Sequence, residues 1–174
     1  MDELERKSVE AFKEAKKFPL VVVLDNVRSM NNVGSIFRSA DAFLIQAIYL
    51  CGYTPQPPHR DIQKTALGAT ETVRWQYFET TVKAVEQLKK DGFAVWAVEQ
   101  ASGSEILQKM NWDGEQKIAL VLGNEVSGVA EEVLEYCDGC VEIPQMGMKH
   151  SLNISVAAGI VLWEFMRTQV KVER

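Results

Sequence analysis

The sequence predicts an α/β fold: an open parallel sheet of about six strands with helices on both faces. The short unbroken apolar run at residues 20–24 (LVVVL) has the composition of a strand buried on both sides, and further short apolar runs read as strands along the chain. Each strand-like run is followed by a polar loop, and most of them then lead into a segment whose apolar residues recur at helical spacing. A parallel neighbour needs a crossover connection, and a helix supplies it, so this alternation implies a sheet covered on both faces.

In order, residues 2–17 read as a charged amphipathic helix with Leu4, Val9 and Phe12 as apolar points and Pro19 as its stop. Residues 20–24 form the first strand and 25–32 a polar loop. Residues 33–43 form a helix in which Val33, Ile36, Phe37, Ala40 and Phe43 share a face, with Asn32 as a good N-cap and Gly34 allowing close packing. A second strand at 47–50 leads into a long loop, 51–64, that contains Pro55, Pro57 and Pro58. A third strand spans 73–77. Thr80 then caps a helix carrying Val82, Val85 and Leu88, which Gly92 ends. The fourth strand, 94–98, precedes a helical turn near 105–109. The fifth is 118–122, followed by a helix at 129–136, and the sixth is 140–143. The last helix, 153–170, has so little polar surface that it is expected to be buried nearly all round, with one face on the sheet and the other on a second subunit.

At 174 residues, 47% hydrophobic and 25% charged, the chain fits one domain with a sizeable core. No apolar run approaches the roughly 20 residues that span a bilayer, and the first residues lack the order of a signal peptide, so a cytoplasmic location is expected. Three cysteines do not make a disulfide framework. Cys137 and Cys140 form a CxxC pair, read as small buried residues at a helix-to-strand junction rather than a metal or redox site. His59 and His150 lack ligand spacing, so no metal is expected.

The net charge of −5 argues mildly against a nucleic-acid partner, yet a local basic patch suffices to dock a phosphate backbone. Acidic residues gather between 115 and 138, whereas Arg28, Arg38, Arg60, Lys64, Lys149 and His150 lie in or beside loops rich in glycine, proline and asparagine. Three loops leaving strand ends carry unusual chemistry: NNVGSIFR (31–38), LGNEVSG (122–128) and IPQMGMKHSLN (143–153). Each alone reads as a capped turn. Together they would converge on one sheet edge, where helix N-termini and free amides gather in open α/β sheets. There is no Walker A sequence and no GxGxxG, which leaves ATPase and dinucleotide chemistry poorly supported.

NNVGSIFR, LVLGNEVSGV and EIPQMGMKHSLNISVA resemble, in order and spacing, the three motifs of the SpoU/TrmH family of RNA ribose 2′-O-methyltransferases, and the resemblance runs from about residue 20 to 166. It implies a C-terminal trefoil knot, which sequence rules alone would not propose. It also implies S-adenosylmethionine as cofactor, a homodimer, and one SPOUT domain with residues 1–18 as an N-terminal helix and 19–170 as the knotted core. By matching motif positions, Asn32, Arg38, Glu125, Ser151 and Asn153 correspond to catalytic groups, with Arg38 serving the other subunit's cofactor. Val98, Gly123, Ile143, Met148 and Leu152 correspond to cofactor-lining positions. Arg28, Arg60, Lys64 and Lys149 are expected as RNA contacts. Gln145 stands where the family commonly has Met. The absence of an added RNA-binding domain leans the expectation toward tRNA over rRNA. Alternatives are base methylation within the same superfamily, a catalytically silent RNA-binding or assembly dimer, and a Rossmann-type oxidoreductase.

Overall fold

The computed structural model describes residues 8–112, 115–148 and 151–169. Among them lie strands β1 (Phe18–Asp25), β2 (Ile45–Cys51), β3 (Trp75–Phe78), β4 (Ala94–Val98), β5 (Glu105–Ile106), β6 (Ile118–Leu122) and β7 (Gly139–Glu142). They form one sheet in the order β3-β2-β1-β6-β4-β7-β5, with every neighbouring pair parallel. The helices are α1 (Val9–Glu14), α2 (Met30–Ala42), α3 (Arg60–Ala66), α4 (Ala69–Thr72), α5 (Thr81–Lys90), α6 (Glu131–Leu134) and α7 (Ile154–Gln169).

The central strands sort their side chains to two cores because successive residues point to opposite faces. Leu20, Val22 and Leu24 of β1 join Ile118, Leu120 and Leu122 of β6 against α2, α3 and α7. Val21, Val23, Ala119 and Val121 face α5 and α6, with Val85, Leu88 and Val133 above them. Residues 20–24 are all at most 1% exposed, each burial contributing about 1.5–3 kcal/mol for the larger side chains. Two-sided burial explains the unbroken apolar runs.

Several boundaries differ from expectation for identifiable reasons. Ser29, not Asn32, is the N-cap of α2: its hydroxyl oxygen accepts from the Asn32 amide at 3.2 Å, so the helix begins at Met30. The long loop expected at 51–64 ends in an unforeseen α3, capped by the His59 Nδ1, which accepts from the Asp61 amide at 3.2 Å. A short α4 follows it. Residues 105–109, expected as a helical turn, contribute a two-residue seventh strand paired with β7 before a 3₁₀ turn at Leu107–Lys109. The helix expected at 129–136 is shorter, Glu131–Leu134: the amides of Val129 and Ala130 before it are bound by Glu99 and Asp25, and after it Tyr136 and Cys137 turn back to the carbonyls of Val133 and Leu134. Of the expected first helix, α1 begins after the Ser8 cap, and residues 2–7 lie outside the described residues.

Within one chain, helix α7 buries one face and leaves the other open. Ile154, Ala158, Val161, Leu162 and Phe165 enter the core, while Val156 and Trp163 are 50% and 59% exposed. Among the described residues no helix is long and apolar enough to cross a membrane.

Candidate active site

The C-terminal ends of β1, β6, β4 and β7 lie side by side, and the three loops marked in the sequence leave three of them. Asp25, buried at the end of β1, anchors the arrangement. Its carboxylate accepts from Thr81 Oγ1 at 2.5 Å, the Ala130 amide at 2.9 Å and Asn26 Nδ2 at 3.0 Å. It thereby holds the first turns of α5 and α6 against the sheet edge. Buried Thr54 does the same for the loop after β1, donating to the Leu24 carbonyl and accepting from the Val27 amide, both at 3.0 Å. A buried polar group satisfied in this way fixes geometry, because releasing it leaves partners unpaired.

Glu125 joins the first two loops. Its carboxylate accepts from the amides of Arg28 and Ser29 and from Asn32 Nδ2, each at 3.2 Å. Burial pushes its pKa up, but hydrogen bonds from its own backbone, from Arg28 and Ser29, and from the Asn32 side chain outweigh that and hold it below the ordinary carboxylate value. The third loop enters through Asn153, whose Nδ2 donates to Asn32 Oδ1 at 3.2 Å. Asn153 Oδ1 in turn accepts from the Ser155 amide at 2.9 Å and hydroxyl at 2.6 Å, which closes the first turn of α7.

Beside this network lies a cleft of about 400 Å³ between the ends of β4, β6 and β7. Val98, Gly123, Glu125, Ile143, Ser151 and Leu152 line it, so six of the ten residues expected as catalytic or cofactor-binding meet there. Asn32 and Asn153 stand at its margin, Asn32 held by Glu125 and Asn153 by Asn32. Met148 is 84% exposed and outside the lining. Arg38 is exposed on α2, six residues and therefore about 120° around the helix from Asn32, and makes no hydrogen bond or ion pair among the described residues. Of the expected RNA contacts, Arg28, Arg60 and Lys64 are exposed. Lys149 falls outside the described residues.

Gly123 and Gly128 permit the fold of the cleft wall. A Cβ on Gly123 would lie 2.1 Å from the Gly128 carbonyl carbon and the Val129 amide nitrogen, and Gly128 has φ +70°. Asn124 completes the turn by accepting from the amides of Val126 at 2.9 Å and Ser127 at 3.3 Å while donating to the Asn26 carbonyl at 2.7 Å.

The cleft also contains acids that the sequence reading passed over. Glu99 accepts from the Gln100 amide at 2.9 Å and the Val129 amide at 3.1 Å, and Glu142 accepts from Ser104 Oγ at 2.7 Å. Both line the cleft with Glu125. A signal was present: β1, β4 and β7 run into an acid at or just beyond their C-terminal ends, as LD, VE and VE.

No cysteine lines the cleft, and Cys137 and Cys140, expected as buried, are half-buried. All three are free; burial pushes Cys51 up to about 12, and burial together with neighbouring Cys140 does the same for Cys137. Thiols so poised are poor nucleophiles at neutral pH. Among the described residues no group of three or more His, Cys, Asp or Glu is placed to hold a metal.

The model of a family described as "SpoU rRNA Methylase family" matches residues 19–163. The chain belongs to the SpoU rRNA methylase family. Membership implies the family's C-terminal knot, and the sheet order accords with it, since β7 inserts between β4 and β5, two strands already joined by residues 99–104. The chain is 35% identical over 154 residues to the 23S rRNA (guanosine-2′-O-)-methyltransferase RlmB of Coxiella burnetii, covering 85% of this chain and 58% of that protein. Among solved structures, the A. aeolicus TrmH/SpoU tRNA modifying enzyme superposes with a TM-score of 0.80 at 28% identity, covering 92% of this chain and 80% of the other. The AdoMet-bound rRNA methyltransferase from Sinorhizobium meliloti gives 0.82 at 27%, covering 95% and 62%. The chain thus spans about three fifths of the curated SpoU relatives it matches, 58% and 61% for the first two.

Proposed function

We propose that the protein is an S-adenosylmethionine-dependent RNA methyltransferase that acts on a ribose 2′-hydroxyl, with tRNA preferred over rRNA, and that it works as a homodimer in the cytoplasm. Residues 19–170 act in this reading as one catalytic unit. The observation that carries it is the Glu125–Asn32–Asn153 network at the margin of a cleft walled by backbone and acids, in a chain of this family.

The donor set suits the cofactor. The chain along 98–100, 122–128 and 143–145 lines the cleft, and a backbone carbonyl or amide left free there can read an adenine edge whatever the side chains are, which is why apolar positions such as Val98 and Ile143 serve. Glu99, Glu125 and Glu142 favour a cation and hydroxyl donors over a phosphate. When bound, S-adenosylmethionine supplies an electrophilic methyl group on a positively charged sulfur.

The attacking ribose hydroxyl must lose its proton, to a base or to solvent water, as the new bond forms, and a group that stabilises the developing alkoxide eases that loss. Ser151, Asn153 and Asn32 orient the ribose, and Glu125 keeps Asn32 in place. Arg38 of the second subunit stabilises the oxyanion and grips the adjacent phosphate, roles that suit a guanidinium, which stays protonated. Exposed Val156 and Trp163 on α7 supply the apolar face on which two subunits meet.

The match to a protein named as a tRNA modifying enzyme, 80% covered by this chain, supports tRNA. The test compares nucleoside mass spectra of tRNA and rRNA from cells with and without the gene. Loss of one 2′-O-methyl nucleoside from tRNA is expected. Loss from rRNA alone would move the substrate. No loss in either RNA would overturn the enzymatic reading in favour of a silent dimer.

A further inference from the structure

We propose that Tyr53 is a stacking platform for an RNA base beside the reactive ribose, a role that deepens the RNA reading above and rests on it. Tyr53 is 83% exposed, the most exposed aromatic residue among the described residues, although only Gly52 separates it from the largely buried β2. An aromatic ring presented to water costs solvation, and isolated exposed aromatics are common enough to need no explanation. The mounting of this one differs.

The backbone under Tyr53 is fixed on every side. The Gly52 amide donates to the Phe78 carbonyl at 3.0 Å, the Tyr53 amide to Asn26 Oδ1 at 3.0 Å, and the Thr54 amide to the Cys51 carbonyl at 3.1 Å. Gly52 has φ +59°, and a Cβ there would lie 2.2 Å from Asn26 Oδ1, so only glycine lets the two loops meet. Asn26 itself sits at φ +53°, a conformation that asparagine tolerates. Such a platform loses little further freedom on binding, because its backbone is already ordered.

The position also fits. The Asn26 carbonyl accepts from Asn124 Nδ2 at 2.7 Å, so two hydrogen bonds lead from Tyr53 to the loop that carries Glu125. Strand β2 lies two places from β6, about 10 Å at ordinary strand spacing. The surroundings are basic where the cleft is acidic. Arg28 is exposed on the adjoining loop, and α3 presents Arg60 and Lys64 against one acid, Asp61. Thr65 Oγ1 donates to the Asn31 carbonyl at 3.0 Å and ties that helix to the start of α2. An exposed ring on an ordered backbone, on loops that also present Arg and Lys, is an arrangement suited to unstacked bases, in which the ring takes the base and the cations take its phosphates.

The test uses the full chain with bulk tRNA, some of it substituted with 4-thiouridine for photocrosslinking. Tyr53→Ala is expected to weaken RNA binding roughly five- to hundredfold, the range of base–aromatic stacking, with S-adenosylmethionine affinity and melting temperature unchanged. Tyr53→Phe and Tyr53→Trp keep wild-type RNA affinity, and the crosslinked peptide contains residue 53. Wild-type RNA affinity in Tyr53→Ala overturns the proposal while leaving the enzymatic reading intact. A wild-type protein that binds tRNA through Tyr53 yet methylates nothing overturns the enzymatic reading and leaves the platform. A protein that binds no RNA overturns both. A change of oligomeric state in Tyr53→Ala, without a change in intrinsic RNA affinity, assigns the ring to a protein interface and overturns the proposal.

Discussion

The side-chain amide of Asn153 donates to the side-chain oxygen of Asn32 at 3.2 Å, joining residues 121 apart in sequence. Asn32 uses its own amide on Glu125, so one small side chain bridges the loops after β1, β6 and β7. Asn32→Ala removes both bonds. Methyl transfer is expected to fall about a hundredfold through misplacement of the reacting groups, while stability falls only about 1 kcal/mol because the lost bonds are solvent-exposed. Single-turnover rates beside urea melts check this, and an unchanged rate would remove Asn32 from the mechanism.

Glu125 carries a pH dependence whose sign follows from its lowered pKa. A carboxylate held below its ordinary value of 4.5 contributes stability that is fully present above that value and lost as pH falls through the lower, folded-state value. Glu125→Gln should therefore be less stable than wild type by about 1 kcal/mol at neutral pH, a modest figure because the group is exposed. The difference should shrink below the ordinary carboxylate range. Urea midpoints measured from neutral pH down to about pH 3 decide it, and a gap that persists unchanged in acid would show that ionisation is not its cause.

Gly34 is where α2 and α3 meet. A Cβ there would lie 2.1 Å from Thr65 Oγ1 and 2.3 Å from the Ile62 carbonyl oxygen. The carbonyl cannot rotate aside, so Gly34→Ala should displace α3 and cost about 1–3 kcal/mol. A fall in thermal midpoint together with weaker RNA binding is expected, because α3 carries Arg60 and Lys64. An unchanged midpoint would mean that the two helices are looser than their spacing implies.

Arg38 is exposed and unpaired among the described residues, so Arg38→Ala should alter stability by less than about 0.5 kcal/mol. Methyl transfer should nevertheless fall about a hundredfold or more, with S-adenosylmethionine still bound by calorimetry. Near-normal turnover would exclude the residue from the reaction.

Trp163 is 59% exposed on α7 and packs its ring 6.3 Å from that of Phe43. Trp163→Glu should convert a dimer to a monomer in light scattering and abolish transfer without unfolding the chain. Activity surviving in a proven monomer would show that no second Arg38 is needed.

Much of this was legible in the sequence. Buried strands such as β1 and β6 announce themselves by unbroken apolar runs, and Thr80 capped its helix as expected. What escaped was short or spent on another partner. Two residues, Glu105 and Ile106, are too few to show a period, yet pairing with β7 makes them a strand. The Ile62, Ala66 and Ala69 spacing that marks α3 and α4 was hidden behind three prolines. Asn32 looked like a cap because asparagine is a good one, but Ser29 holds that position and frees Asn32 for Glu125. Glu99 and Glu142 were hidden because a single acid after a strand is unremarkable; only the sheet order puts them on one cleft.

The placement of β7 between β4 and β5 also sets a timetable. A chain emerging from the ribosome can pair β1, β2, β3, β4 and β6 before residue 139 exists, but the cleft draws on residues 142–157 as well. Nascent chains that already have most of their sheet therefore lack one wall of the cleft. Termination just before α7 would leave all seven strands but remove Ile154 and Ala157 from the cleft wall. The cleft is therefore complete only once β7 and the start of α7 have been made.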